Sequence, residues 1–240
     1  MTYINYAHRG ASSYAPENTL RAFYQGLEMG ANGIETDIQR TRDGKLVLFH
    51  DDTLERIVGT KGSISDFTYD ELARMDFGRF MGPAYANERI VTLEDFLRYF
   101  GNKGLHLSLE IKQAGVEEDS IRLVEQYAQN SHVIFTSFLW ESIVALRQCS
   151  QQAKIGYLTY RISDEVLNLL EWHRIEQICP DISLTNASEV ALAKSRGFSV
   201  RFWGIKNEDL MKKALSLDGE GMTVNFPDKL FAALESASLS

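Results

Sequence analysis

Apolar positions along this chain recur in two alternating rhythms. Short runs with period two or unbroken apolarity, such as 4–8, 33–39 and 105–111, are each followed by stretches with apolar residues at helical spacing. In the first helical stretch Leu20, Phe23 and Leu27 share a face, with Asn18 as the expected N-cap and Gly30 as the stop. Arg42-Asp43-Gly44 marks a turn, and residues 46–49 form a further extended run. The rhythm lapses over about 52–91, where glycine-punctuated sequence holds one short helical piece (69–75) and no strong strand. This segment reads as an insertion. From Thr92, the expected cap of a helix reaching Phe100, alternation resumes. Strands are expected at 105–111, 133–136, 154–158, 182–184 (weak), 199–203 and 221–224. Helices between and after them are expected at 117–129, 140–149, 164–173, 187–196, 208–216 and 229–237.

With the insertion set aside, the pattern repeats strand-then-helix eight times in 240 residues. That points to an α/β chain of one domain, 1–240, closed as a (β/α)8 TIM barrel of the usual length of about 250 residues. The small insertion, about 52–91, follows the second strand. No strand is followed by GxGxxG or GxxxxGK[ST], which argues against a nucleotide-binding sheet.

A barrel places its chemistry at the C-terminal ends of its strands. His8 and Arg9 end the first strand. Glu35 and Asp37 lie on one face of the second, about 7 Å apart, while Ile34, Thr36 and Ile38 face the other way. Residues 105–112 alternate strictly, so Leu105, Leu107, Leu109 and Ile111 should pack on helices and leave Glu110 and Lys112 pointing inward. His50-Asp51 closes the run 46–49, and Trp203 ends the seventh strand. Taken singly, each has a plainer reading: a strand-end histidine, a turn, a self-neutralising Glu110–Lys112 pair, a core tryptophan, loop packing at Ser137 and Phe138. Their convergence on one rim is the informative observation.

Composition narrows the partners. Apolar residues make up 44%, enough for a sizeable core, and the net charge is −8. That balance, with a pI near 5.2, disfavours nucleic-acid binding. Cys149 and Cys179 lack metal-site spacing and are expected as two core thiols. No basic-then-apolar leader begins the sequence, and no apolar run approaches about 18 residues. A cytoplasmic protein with no stable membrane insertion is the expectation.

Glu35, Asp37 and Glu110 are hard oxygen donors suited to Mg²⁺ or Ca²⁺. Two histidines offer a general acid and a general base, and Arg9 and Lys112 offer positive charge to a phosphate. Together these describe phosphoester hydrolysis or transfer.

The motifs His8-Arg9-Gly10-Ala11, Pro16-Glu17-Asn18-Thr19, Glu35-Thr36-Asp37, His50-Asp51-Asp52-Thr53-Leu54 and Leu109-Glu110-Ile111-Lys112 resemble the glycerophosphodiester phosphodiesterase family. Val91-Thr92-Leu93-Glu94, Trp203 and Phe226-Pro227-Asp228 extend the resemblance over essentially the whole chain. It implies a TIM barrel with an insertion after the second strand. It also implies metal-dependent hydrolysis of deacylated phospholipids, such as glycerophosphocholine, to glycerol 3-phosphate and an alcohol, hence a role in lipid and glycerol metabolism. By this likeness Glu35, Asp37 and Glu110 hold the metal, His8 and His50 are catalytic, and Arg9, Lys112 and Trp203 contact substrate. The chain departs from the family pattern at Val224-Asn225, where Thr-Asp is frequent, and at Gly204-Ile205-Lys206-Asn207, where Thr-Val-Asn is frequent. Both departures concern the rim and substrate preference. A non-catalytic headgroup-binding barrel is the rival reading, but it would have shed a histidine or a carboxylate. A phospholipase on intact lipid would need a docking surface, for which Phe77, Phe80, Met81 and Tyr85 are candidates. Headgroup, metal identity, the division of labour between the histidines and oligomeric state stay open.

Overall fold

A computed structural model describes residues 3–238; Met1 and Thr2, part of the stretch read for a leader, lie outside it. The elements begin β1 (Ile4–His8), α1 (Leu20–Glu28), β2 (Gly33–Arg40), β3 (Leu46–Leu48), α2 (Glu55–Val58), α3 (Tyr69–Leu72) and α4 (Leu93–Phe100). They continue β4 (His106–Ile111), α5 (Glu117–Tyr127), β5 (His132–Ser137), α6 (Trp140–Cys149), β6 (Lys154–Thr159) and α7 (Asp164–Trp172). Last come β7 (Gln177–Pro180), α8 (Ala187–Ser195), β8 (Ser199–Ile205), α9 (Glu208–Ser216), β9 (Gly221–Val224) and α10 (Pro227–Ser238). Strand β1 pairs in parallel with both β2 and β9, so β1, β2 and β4 to β9 close into an eight-stranded parallel barrel. The short β3 folds back antiparallel on the end of β2, Ile38 facing Leu48.

The alternation along β4 decides its two faces. Leu107, Leu109 and Ile111 are buried outward in the main core with Phe96, Leu97 and Phe100 of α4. Ser108 and Glu110 turn into the barrel, the Ser108 hydroxyl 3.5 Å from that of Thr136. Thr92 caps α4 by accepting from Asp95 N (3.0 Å), and Leu93, Phe96, Leu97 and Phe100 form its buried stripe. Phe23 of α1 meets Phe96 and Phe100 edge-on, at 4.9 and 5.8 Å between ring centres.

Three expectations are corrected. The cap of α1 is Thr19, which accepts from Ala22 N (3.2 Å), not Asn18. Asn18 sits at φ +57° with its side chain in the barrel, and its role belongs to the site below. Residues 182–184 form a 3₁₀ turn, not a strand, because Asp181 accepts from Ser183 N (2.8 Å) and holds the turn locally. The strand is β7, whose inward Gln177 and Cys179 and terminal Pro180 disguised it. Cys179 is buried as expected, but Cys149 is exposed at the end of α6.

Between β3 and α4 the chain carries its own apolar cluster of Phe49, Leu54, Ile57, Ile64, Leu72 and Phe77 under short helical turns. Phe77 is buried there and Tyr85 bonds the Tyr14 carbonyl (2.8 Å), which leaves only Phe80 of the supposed docking residues as an exposed large apolar side chain. Among the described residues no helix is long and apolar enough to cross a membrane.

Candidate active site

Register brings the polar strand ends together. Pairing of β1 with β2 sets His8 beside Glu35, and pairing of β2 with β4 sets Asp37 beside Glu110. Arg9 follows at φ +56° with its N–H on the Glu35 carbonyl (2.8 Å). The turn then passes so close to α1 that a Cβ on Gly10 would lie 2.4 Å from the Ala22 carbonyl carbon. Only glycine fits there, at φ +83°.

Carboxylate oxygens of Glu35, Asp37 and Glu110 lie within 4.8 Å of one another, and all three residues are buried. Asp37 Oδ2 accepts from Asn18 Nδ2 (3.0 Å) and faces Arg9 Nε at 3.4 Å. Glu110 Oε1 accepts from Lys112 Nζ (3.0 Å). Glu35 Oε2 and Asp37 Oδ1, although buried, have no hydrogen-bond partner among the described residues. Burial, with Asp37 and Glu110 alongside, pushes Glu35 well above the usual carboxylate range. Glu110 is raised by burial and by Asp37. Asp37 is held below that range although burial works upward, because Arg9, then His50 and Lys112, favour its ionised form. Crowded, partly orphaned hard oxygens are what a divalent cation would satisfy, so the residues fit such an ion.

His8 Nδ1 is 2.5 Å from Asn225 Oδ1 and donates to it, leaving Nε2 free, 3.8 Å from Glu35 Oε2. Its surroundings and the Arg9 charge push its pKa down to about 3, although 30% of the side chain still opens to the cavity. His50 Nδ1 donates to Asp51 Oδ1 (2.8 Å), again leaving Nε2 free. Arg9 Nη1 donates to Glu17 Oε1 (2.9 Å).

His8, Arg9, Glu35, His50 and Glu110 line a cavity of about 320 Å³ at the C-terminal end of the barrel together with the apolar Phe138, Leu158, Trp203 and Ile205, while Asp37 is not among its lining residues. Phe138, expected as loop packing, meets Trp203 edge-on at 5.0 Å. Lys112 is not among the lining residues; its Nζ is paired with Glu110, which is. A hollow of about 520 Å³ opens at the opposite end, between His106, His132, Tyr6 and Gln177. There the two histidines stack on each other, ring centres 4.8 Å apart.

The departure at Val224-Asn225, expected to concern only the rim and substrate preference, is corrected: Asn225 accepts from His8 Nδ1 and so belongs to the histidine set, a contact made when β9 closes on β1. Sequence reasoning gave no role to three further residues. Glu17 stands on the same rim and was legible by that rule. Arg201, fully buried with its guanidinium on Thr223 and over the Tyr6 ring, shares the inward face of β8 with Trp203 and could have been found by alternation. Arg56, in the insertion, had no signal.

Fold and rim together define a barrel hydrolase of phosphate esters. The glycerophosphoryl diester phosphodiesterase family matches residues 8–229, and the chain belongs to that family. A glycerophosphodiester phosphodiesterase of Caldanaerobacter subterraneus is 32% identical over 93% of this chain and 94% of its own. A putative glycerophosphodiester phosphodiesterase of Bacillus subtilis is 31% identical over 92% and 94%. Among solved structures, an Oleispira antarctica phosphodiesterase in complex with its product sn-glycerol-3-phosphate superposes with a TM-score of 0.90, at 28% identity and 96% coverage of both chains. A putative enzyme of the same kind from Galdieria sulphuraria superposes at 0.85, with 26% identity and 98% coverage of both.

Proposed function

We propose that the protein hydrolyses glycerophosphodiesters of the glycerophosphocholine type to glycerol 3-phosphate and an alcohol. His8 and His50 move the protons, and Glu35, Asp37 and Glu110 hold a divalent cation, Mg²⁺ or Ca²⁺. One observation carries the reading: both histidines have Nδ1 tied off and Nε2 free in a cavity shared with Arg9 and with Glu35 and Glu110 of the carboxylate cluster. When bound, the cation supplies stabilisation of the charge that builds on the phosphoryl oxygens.

Arg9 orients the diester: its Nη1 is anchored on Glu17 and its Nε faces Asp37 Oδ2 at 3.4 Å. One histidine takes the proton of the attacking hydroxyl, from water or the neighbouring glycerol hydroxyl, as the new P–O bond forms. The other gives a proton to the leaving alkoxide oxygen as the old P–O bond breaks. Attack by water gives glycerol 3-phosphate directly; attack by the glycerol hydroxyl gives a cyclic phosphate, which water then opens to glycerol 3-phosphate with the two histidines' roles exchanged. Phe138, Leu158 and Trp203 offer an apolar wall to the alcohol. Lys112 acts through Glu110. The product in the Oleispira relative supports glycerol 3-phosphate as the common product. A place in cytoplasmic lipid and glycerol metabolism belongs to the same reading.

The test is release of glycerol 3-phosphate from glycerophosphocholine, with Mg²⁺ or Ca²⁺ and again with EDTA. His8→Ala and His50→Ala should each lower kcat by at least about 10²-fold. On a p-nitrophenyl diester, whose leaving group needs no proton, the variant lacking the proton donor should recover. Near-normal turnover of glycerophosphocholine in both variants would refute the assignment.

A further inference from the structure

The oxygens and ring nitrogen of Glu17, Asp51 and His50 lie within 4.8 Å of one another and form a second group with the look of a cation site. A side chain already supplies the cation. Arg56, on α2, donates Nη1 to Glu17 Oε2 and Nη2 to Glu17 Oε1, both 2.8 Å. It also donates Nε to Asp51 Oδ2 (2.6 Å) and Nη2 to Asp51 Oδ1 (3.0 Å). Each carboxylate is therefore gripped by a fork, the arrangement that suits guanidinium and that an ammonium cannot copy.

The atoms shared at each end matter most. Glu17 Oε1, which takes Arg56 Nη2, also takes Arg9 Nη1. Asp51 Oδ1, which takes the same nitrogen, also takes His50 Nδ1. One unbroken sequence of charge-assisted bonds thus runs Arg9–Glu17–Arg56–Asp51–His50. It joins the loop after β1, the loop after β3 and the insertion, and it ends on the phosphate clamp on one side and a proton-transfer group on the other. We propose that Arg56 is a positioning residue that sets the Arg9-to-His50 spacing, so the insertion tunes catalysis without touching substrate. The inference rests on the roles proposed above for Arg9 and His50.

Loss of this tie lets both groups wander, and a displacement of about 1 Å costs on the order of 10²-fold in rate. Arg56→Met should lower kcat by about that factor while the melting curve stays cooperative. Arg56→Lys should fall between, since one ammonium cannot fork both carboxylates. Added guanidinium should restore Arg56→Met by about tenfold or more and leave the wild type unchanged. Asp51→Asn, which keeps the shape and removes one charge, provides the second variant should Arg56→Met fail to fold; it should lower kcat by about tenfold or more. An Arg56→Met kcat within about threefold of wild type would overturn the proposal, as would the same result for Asp51→Asn. So would a loss that neither Lys nor guanidinium relieves. A silent wild type would take down the proposed reaction itself; an active wild type with indifferent variants takes down only the role of Arg56.

Discussion

Replacing Asn18 removes a support placed behind the carboxylates, and its cost can be worked from the structure. Asn18 is buried; its Nδ2 donates to Asp37 Oδ2 (3.0 Å) and its Oδ1 accepts from Thr36 Oγ1 (2.7 Å). Asn18→Ala loses a hydrogen bond to a charged group, about 1.5–3 kcal/mol, and strands the Thr36 hydroxyl, about 1–3 kcal/mol. Alanine at φ +57° adds about 1 kcal/mol of backbone strain that asparagine tolerates better. The two bonds share one side chain and overlap, so a total near 4 kcal/mol is expected. Asn18→Gly loses the same bonds without the strain and should be less damaging than Ala by about 1 kcal/mol. Urea unfolding followed by tryptophan fluorescence measures both. A loss below about 1 kcal/mol in each variant would refute the claim that this pair of bonds holds Asp37. Gly no better than Ala would refute the backbone part.

Two further outcomes follow from the electrostatics. Glu35→Gln removes one of three crowded buried carboxylates, so in EDTA the variant should melt higher than wild type. The wild type should gain stability with metal, about 2.7 kcal/mol at a hundredfold excess over Kd, and the variant should not; equal gains would exclude Glu35 as a ligand. The Asp51 carboxyl, although partial burial works upward, is held down to about 2 by Arg56 and His50. A depressed acid stabilises fully above its unfolded value of about 3.9, and that contribution disappears as pH falls toward about 2. The stability gap between wild type and Asp51→Asn should therefore narrow between about pH 4 and pH 2 in thermal melts. A gap that widens on acidification would reverse the sign and refute the assignment.

Much of this was legible in the sequence because it depends on periodicity within single elements. Alternation alone put Glu35 with Asp37 and Glu110 with Lys112, and the rule for barrel strand ends gathered His8, Arg9 and Trp203 with them. Repetition of strand and helix determined the closed barrel. It failed at β7, where inward Gln177 and Cys179 break the apolar run and a local Asp181 turn imitates a strand nearby.

What only the tertiary structure decided are contacts between distant segments. Barrel closure, bringing β9 beside β1, delivers Asn225 to His8 across 217 positions. The insertion, reading as aperiodic sequence, delivers Arg56 to Glu17 across 39. Asn18 looks like a helix cap because caps and buried hydrogen-bonding groups use the same residue types. Only the packed loop shows that its amide turns inward to Asp37 while Thr19 caps the helix. Local pattern determines which face of an element a side chain occupies; the partner it meets there is settled when the sheet closes, because that partner lies on another strand.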